Sequence, residues 1–393
     1  MDLLVLFAGS PGEVLSKDRI IATVWGGRAI GDDTLAAAMS RLRNALGAEK
    51  YIETIPKRGY RLIVVPDNVS TEHRASQAPS SLTAQGFAIL KSPLPHSLNQ
   101  AKLYFEAAIR EDTRNAQAHA GLAQTLLLRH LMGHEPKTAL VEAALASAHA
   151  AIALDDRLAL AWAVRGYTTL LLERDFGRAD ASLQRALACD AESSVAHRYR
   201  ALALAAAGRF VDAERECRAA LKVDPVSLSL RSELAQCLLL GRRYAQVIDE
   251  TKRTIAMAPQ ASDAWFANGW AHAMLGADDD ALHAFLEGLK VWGLSTEKLS
   301  GLTGIYRRSG SSALCAATAD LFESQTIGFI PRLTDIAILR AYAGEADVAF
   351  AAFDKAVAQD DPFLLWVLRL PQLDRIRNDP RFVSLLERAR MVQ

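Results

Sequence analysis

Residues 193–225, SSVAHRYRALALAAAGRFVDAERECRAALKVDP, decide the fold. Apolar and small side chains fall at helical spacing on both sides of Gly208, so the stretch reads as two helices joined by a tight turn. Gly208 can end the first helix with a positive φ, and Pro225 stops the second. The unit then recurs: Ala186, Ala220, Thr254 and Gly288 follow at steps of 34, and the step continues to Phe322 and Ala356. Two further sets keep the same step, Ala179, Ala213, Val247 and Ala281 seven positions earlier, and Ala191, Pro225, Pro259 and Gly293 five later. Backwards, Ala151 lies 35 before Ala186, and Ala108 lies 43 before Ala151, one period plus nine residues that fit the stretch around His130 to Thr138. A fixed period of this length means an array in which the apolar face of each hairpin is covered only by its neighbours. Phe322 stands where other units have a small residue, which predicts altered packing there.

This pattern resembles the tetratricopeptide repeat: a small residue in the middle of the first helix, Gly at the turn, Ala twice in the second helix and a closing Asp-Pro. The resemblance spans residues 100–362 and implies an α-solenoid. After Asp361 the sequence changes character, and residues 363–393 read as a capping segment in which Asp379 and Pro380 start a last amphipathic helix as N-cap and first helical residue.

The 393 residues carry 45 Lys+Arg against 45 Asp+Glu, so attraction to a polyanion cannot come from the chain as a whole and needs a local patch. Cys189, Cys217, Cys237 and Cys315 are too few and too irregular for a disulfide framework or a metal site, which suits a reducing cytoplasm and buried small side chains. Charges interrupt every apolar stretch before a membrane-spanning length is reached. Between Asp67 and Gly86 large apolar residues almost vanish, so residues 67–99 read as a linker, with a typical span of roughly 25 Å for its twenty least apolar residues.

The head, residues 1–66, reads as helix, turn, helix, hairpin. Its first helix places Ile20, Ile21, Val24 and Trp25 on one face. A second helix follows Asp32 and Asp33 and buries Leu35, Met39, Leu42 and Leu46, leaving small and basic residues outside, as entry to a major groove requires. YIETIPKRGYRL then alternates about Pro56 to Gly59, a hairpin with Lys57 and Arg58 at its tip. Six bases meet two acids between Arg41 and Arg61, a surplus of +4 that places the basic charge on the second helix and the hairpin.

Taken in order, GEVLSKDRIIATVWGG, DDTLAAAMSRLRNALG and YIETIPKRGYRL resemble the OmpR-type winged-helix DNA-binding domain. The resemblance implies a recognition helix over residues 33–45 in the major groove of double-stranded DNA and a wing over residues 52–62 in the adjacent minor groove. By position it carries DNA contacts onto Thr34, Ala38, Ser40, Arg41, Arg43, Thr54, Lys57, Arg58, Tyr60 and Arg61. Domains of this type open on a four-stranded sheet ahead of the first helix. This chain starts at about that helix, so Leu3, Leu4, Leu6 and Phe7 are expected to lose part of their cover.

The whole then resembles regulators that join a winged helix to repeats, of the CadC and HilA type but without the membrane span of the former. The fold expected is mainly α, with a β-hairpin wing at one end. RNA polymerase or another protein is the expected partner of the repeats, with a homodimer possible by analogy. Neither part holds a nucleophile, base or metal set, so neither catalysis nor a cofactor is expected; Asp175, Phe176 and Gly177 spell a kinase triplet but fall at an interhelical turn. In the unit from Ser262, Phe266, Trp270 and Met274 form a stripe at steps of four, and Arg198 and Gln236 stand at neighbouring stations. These five outline a concave groove for a peptide or small apolar ligand, unless the stripe packs on the capping segment or a folded-back linker. The competing reading from another class is an interaction scaffold whose head no longer functions.

Overall fold

A computed structural model of the chain describes residues 6–7, 14–25, 32–45, 51–55, 58–62, 81–90, 97–132, 137–324 and 331–391. They fall into two compact units, Met1–Gln77 and Ala78–Gln393.

The first unit runs β1 (Val14–Leu15), α1 (Lys17–Trp25), α2 (Asp32–Ala45), β2 (Ile52–Ile55) and β3 (Gly59–Leu62). The strands form an antiparallel sheet in the order β1-β3-β2, with Thr54 opposite Tyr60 and Glu53 opposite Arg61. Strand β1 was not expected from the sequence; its two residues are too short a run to show a period. Phe7, Leu15, Ile20, Leu35, Met39 and Ile52 are all at most 1% exposed. Phe7 is thus fully covered, against the expectation that it loses part of its cover, because it packs in the core with the two helices and the sheet. Leu3 and Leu4 lie outside the described residues. Gly59 is required twice: its φ is +135°, and a Cβ there would lie 1.9 Å from the carbonyl oxygen of Leu15.

The second unit begins with α3 (Ser81–Leu90), inside the stretch that composition assigns to the linker. It forms because Leu82, Phe87, Ile89 and Leu90 find cover, Phe87 packing edge-on against Phe105 at 5.0 Å. Then follow α4 (Leu98–Glu111), α5 (Ala116–Leu131), α6 (Lys137–Leu154), α7 (Ala159–Glu173), α8 (Phe176–Cys189), α9 (Ser194–Ala206), α10 (Phe210–Val223), α11 (Leu228–Leu240), α12 (Tyr244–Met257), α13 (Ser262–Met274) and α14 (Asp278–Val291). Next come α15 (Thr296–Glu323), α16 (Leu333–Ala343), α17 (Ala346–Ala358), α18 (Leu364–Val367), a 3-10 turn at Pro371–Leu373 and α19 (Pro380–Arg388).

Helix starts repeat the sequence period: residues 194, 228, 262 and 296 open the first helices of four hairpins, and residues 176, 210, 244 and 278 open second helices. Helix α15 is itself a hairpin, broken at Gly310, whose φ of 76° and ψ of −170° are not helical. The recurring residues are the ones buried between helices: Ala186, Ala220 and Ala356 are 0% exposed and Thr254 is 2%. At Gly288 a Cβ would stand 2.9 Å from the Phe266 ring, so the missing side chain lets that ring in. Phe322 is accommodated by an aromatic chain, its ring 5.7 Å from Trp292, which in turn lies 4.4 Å from Phe266. Asp175 of the kinase-like triplet is a helix N-cap, its carboxylate accepting from the Arg178 N–H at 2.8 Å.

The terminal segment does more than end the array. Asp379 and Pro380 do start α19 as N-cap and first residue. Before that, the chain turns back along the first helices of earlier repeats. The Trp366 indole donates to Leu202 O at 3.0 Å, the Arg369 guanidinium to Ala206 O at 2.7 Å, and Arg242 pairs with Asp374 at 2.7 Å. Arg375 donates to Tyr342 O, and Arg390 to Leu172 O at 3.4 Å. Arg369, Arg375 and Arg390 thereby serve carbonyls in the last turns of α9, α16 and α7, where helices leave acceptors unused and the dipole favours cations. Leu364, Leu365, Leu370, Leu373, Ile376, Phe382 and Leu385 are at most 4% exposed. At roughly 1.5–3 kcal/mol for each buried side chain their burial is worth on the order of 10 kcal/mol, so the segment is part of the core.

Two outcomes follow from this packing. Gly59→Ala should unfold the first unit, costing more than the roughly 1–3 kcal/mol of a strained φ alone, and protease digestion should then remove it first. Trp366→Ala should cost the repeats about 3–5 kcal/mol, read as a shift in the urea midpoint of helical circular dichroism.

Candidate nucleic-acid interface and repeat groove

Helix α2 presents the surface that the first unit does not bury. Ser40 is exposed on it, while Ala38, expected on the outer side, is half-buried at the edge of the core. For Thr34 and Arg41 the backbone is helical, and their side chains lie outside the description, as does Lys57 as a whole. Arg58 is exposed at the tip of the β2–β3 hairpin, and Thr54 is exposed on β2.

Three other expected contacts are engaged within the unit. Tyr60 is 8% exposed and belongs to the core, so its ring packs instead of reaching outward. Arg61 pairs with its cross-strand neighbour Glu53 at 2.6 Å. Arg43, half-buried, donates from Nε to Ile52 O at 3.1 Å and from Nη2 to Thr54 Oγ1 at 2.7 Å, its guanidinium 5.9 Å from the centre of the Tyr60 ring. Sequence spacing could not show these pairings, because they depend on where the hairpin folds against α2.

In the repeats, Arg198 forms an ion pair with Glu233 at 2.6 Å, with side chains 27% and 15% exposed. Burial pushes the Glu233 carboxyl up, opposed by Arg198. Burial also works against the Arg198 charge, but Glu233 overcomes it and the guanidinium is held protonated. Beside them Tyr167 and Tyr199 stack in parallel, ring centres 4.9 Å apart, both fully buried. Neither tyrosine hydroxyl has a hydrogen-bond partner among the described residues. Glu233 and the two tyrosines were not foreseen. The available signal was that Tyr199 and Glu233 occupy one station of the 34-residue period.

The aromatic stripe is partly covered by the chain itself. Phe266 packs on Trp292, and Trp270 lies 5.0 Å from Phe285 and 5.1 Å from Tyr342, against the helix next to which the terminal segment lies. Gln236 and Met274 are half-buried on α11 and α13. Among the described residues there is no group of three His, Cys, Asp or Glu placed to hold a metal, and no helix is long and apolar enough to cross a membrane.

Residues 1–62 match the family described as transcriptional regulatory protein, C terminal. The chain is 42% identical over 69 residues to the transcriptional activator CadC of Escherichia coli (strain K12), covering 16% of this chain and 14% of that protein. It is 35% identical over 88 residues to the cholera toxin transcriptional activator of Vibrio cholerae serotype O1, covering 21% and 30%. The chain therefore spans less than a third of the length of either relative. Among solved structures, a thermophilic TPR protein of Thermus thermophilus covers 50% of this chain and all of its own at 23% identity and a TM-score of 0.41. PilW, a type IV pilus biogenesis factor, covers 58% and 100% at 18% identity and 0.45. The first unit is an OmpR-type DNA-binding domain of transcriptional regulators, homologous to activators of the CadC and cholera toxin type. It is joined in one chain to an array of helical hairpins whose helix starts step by 34 residues.

The Arg198–Glu233 pair supplies a test of the array's energetics. Glu233→Ala leaves the Arg198 charge without its partner and should cost about 3 kcal/mol. Tyr199→Phe removes a hydroxyl with no partner and should cost nothing measurable or stabilise slightly. Chemical denaturation of the two variants beside the parent distinguishes these outcomes, and equal losses would contradict both assignments.

Proposed function

We propose that the protein is a cytoplasmic DNA-binding transcriptional regulator, with no catalytic step of its own. Helix α2 enters the major groove of double-stranded DNA and the β2–β3 wing the adjacent minor groove. Contacts come from Thr34, Ser40, Arg41, Thr54, Lys57 and Arg58, with Ala38 leaving room beside them. The repeat array binds a protein, such as RNA polymerase, or a small ligand, and so modulates the activity of the head; a homodimer would let two heads read paired half-sites. Within the array, Arg198, Gln236, Phe266, Trp270 and Met274, all half-buried, outline the groove for that ligand. One observation carries the reading: the surface of α2 and the wing tip left free by a fully packed core is the surface that bears Ser40, Thr54 and Arg58.

Selection of bound fragments from a sheared genomic library tests it. The full chain should enrich discrete sites, and an absence of enrichment would remove the reading. On a selected site, Arg58→Ala should weaken binding on every sequence alike and lower the slope of log affinity against log salt by about one, as loss of one phosphate contact does.

A further inference from the structure

Arg43 stands in α2, the helix proposed to enter the major groove, and a basic residue there would ordinarily be read as a contact. Its geometry assigns it elsewhere. The side chain runs back from α2 to the wing and makes three contacts with it: Nε to the Ile52 carbonyl at 3.1 Å, Nη2 to Thr54 Oγ1 at 2.7 Å, and the guanidinium 5.9 Å from the centre of the Tyr60 ring. Thr54 and Tyr60 are cross-strand partners, so one guanidinium grips both strands of the hairpin on the same face. Resting on the proposed DNA-binding function, we propose that Arg43 is a positioning residue that touches no DNA atom. It sets the angle between recognition helix and wing and orients the hydroxyl of Thr54.

The chemistry of that hydroxyl gives the inference its content. A threonine hydroxyl has one hydrogen to donate and can accept at its oxygen. Here the oxygen accepts from a cationic N–H, and among the described residues its own hydrogen has no acceptor. Thr54 is also exposed. The Arg43 charge polarises the O–H, as a donor does within a hydrogen-bonded chain, and leaves it free to donate to an acceptor arriving from solvent. A non-bridging phosphate oxygen beside the minor groove is such an acceptor. The relay Arg43 to Thr54 to phosphate then delivers part of the guanidinium's effect without placing the guanidinium at the DNA. Two grooves must be entered at once, and the strut from α2 to β2 holds the two probes at one spacing.

Anisotropy titrations on a selected DNA site, over a series of salt concentrations, test the assignment with the full chain. Thr54→Val should weaken binding about tenfold, the size of a hydrogen bond to a charged group, with the salt slope unchanged because no cation is lost. Thr54→Ser should restore most of it. Arg43→Ala should weaken binding at least as much, also with the slope unchanged, in contrast to the drop of about one expected for Arg58→Ala. The double variant should be no weaker than Arg43→Ala alone. Replacing the phosphate by an uncharged methylphosphonate should weaken the parent chain and leave Thr54→Val indifferent. A slope lowered by about one in Arg43→Ala, or fully additive losses, would overturn the assignment and make Arg43 a direct contact. Parent-like binding by Thr54→Val would overturn it as well. Should Arg43→Ala not fold, Arg43→Lys and Thr54→Val decide the same point. Failure of the parent chain to bind any site removes the DNA-binding reading itself, an outcome distinct from these.

Discussion

A helical hairpin of this chain has one apolar face and nothing of its own to cover it. The array exists because each hairpin lends its back to the next, and the lending works only where two helices approach closely. Small residues at one station of every unit, from Ala186 through Gly288 to Ala356, permit that approach. The identical step of 34 between helix starts is the geometric consequence, since units that share a contact must share a length. Phe322 shows the limit of the rule. A large ring is tolerated at that station because Trp292 and Phe266 form a continuous aromatic layer around it.

An array built this way has two unresolved problems, an uncovered last face and rows of helix C-termini whose carbonyls lack partners. The terminal segment answers both. Its leucines, Ile376 and Phe382 are buried, and its arginines reach the free carbonyls of three different first helices, two of them far away in sequence. The aromatic stripe is drawn into the same packing: Phe266, half-buried, lies against Trp292, and Trp270, half-buried, lies against Phe285 and Tyr342.

The first unit obeys a similar constraint on a smaller scale. The sheet closes on a glycine that admits the Leu15 carbonyl, and a guanidinium ties the hairpin to α2. Arg43 and Arg61, counted in the sequence among the DNA contacts, have partners within the unit, and Arg58 is exposed at the wing tip.

Periodicity determined the repeats, their length and the buried small residues, and the Asp379-Pro380 pair the N-cap of the last helix, because each depends on residues close together in one helix or on a step that the chain itself counts. The order of three motifs likewise determined the winged helix, and Leu35 and Met39 as its core. Tertiary structure alone decided which arginines are free, that Tyr60 faces inward, that residues 81–90 are a helix and not linker, and that the terminal segment fills the space in front of earlier repeats. These are pairings between residues up to 218 positions apart, as with Arg390 and Leu172. No local propensity encodes such a distance: a side chain's character is visible in the sequence, but its partner is chosen by packing.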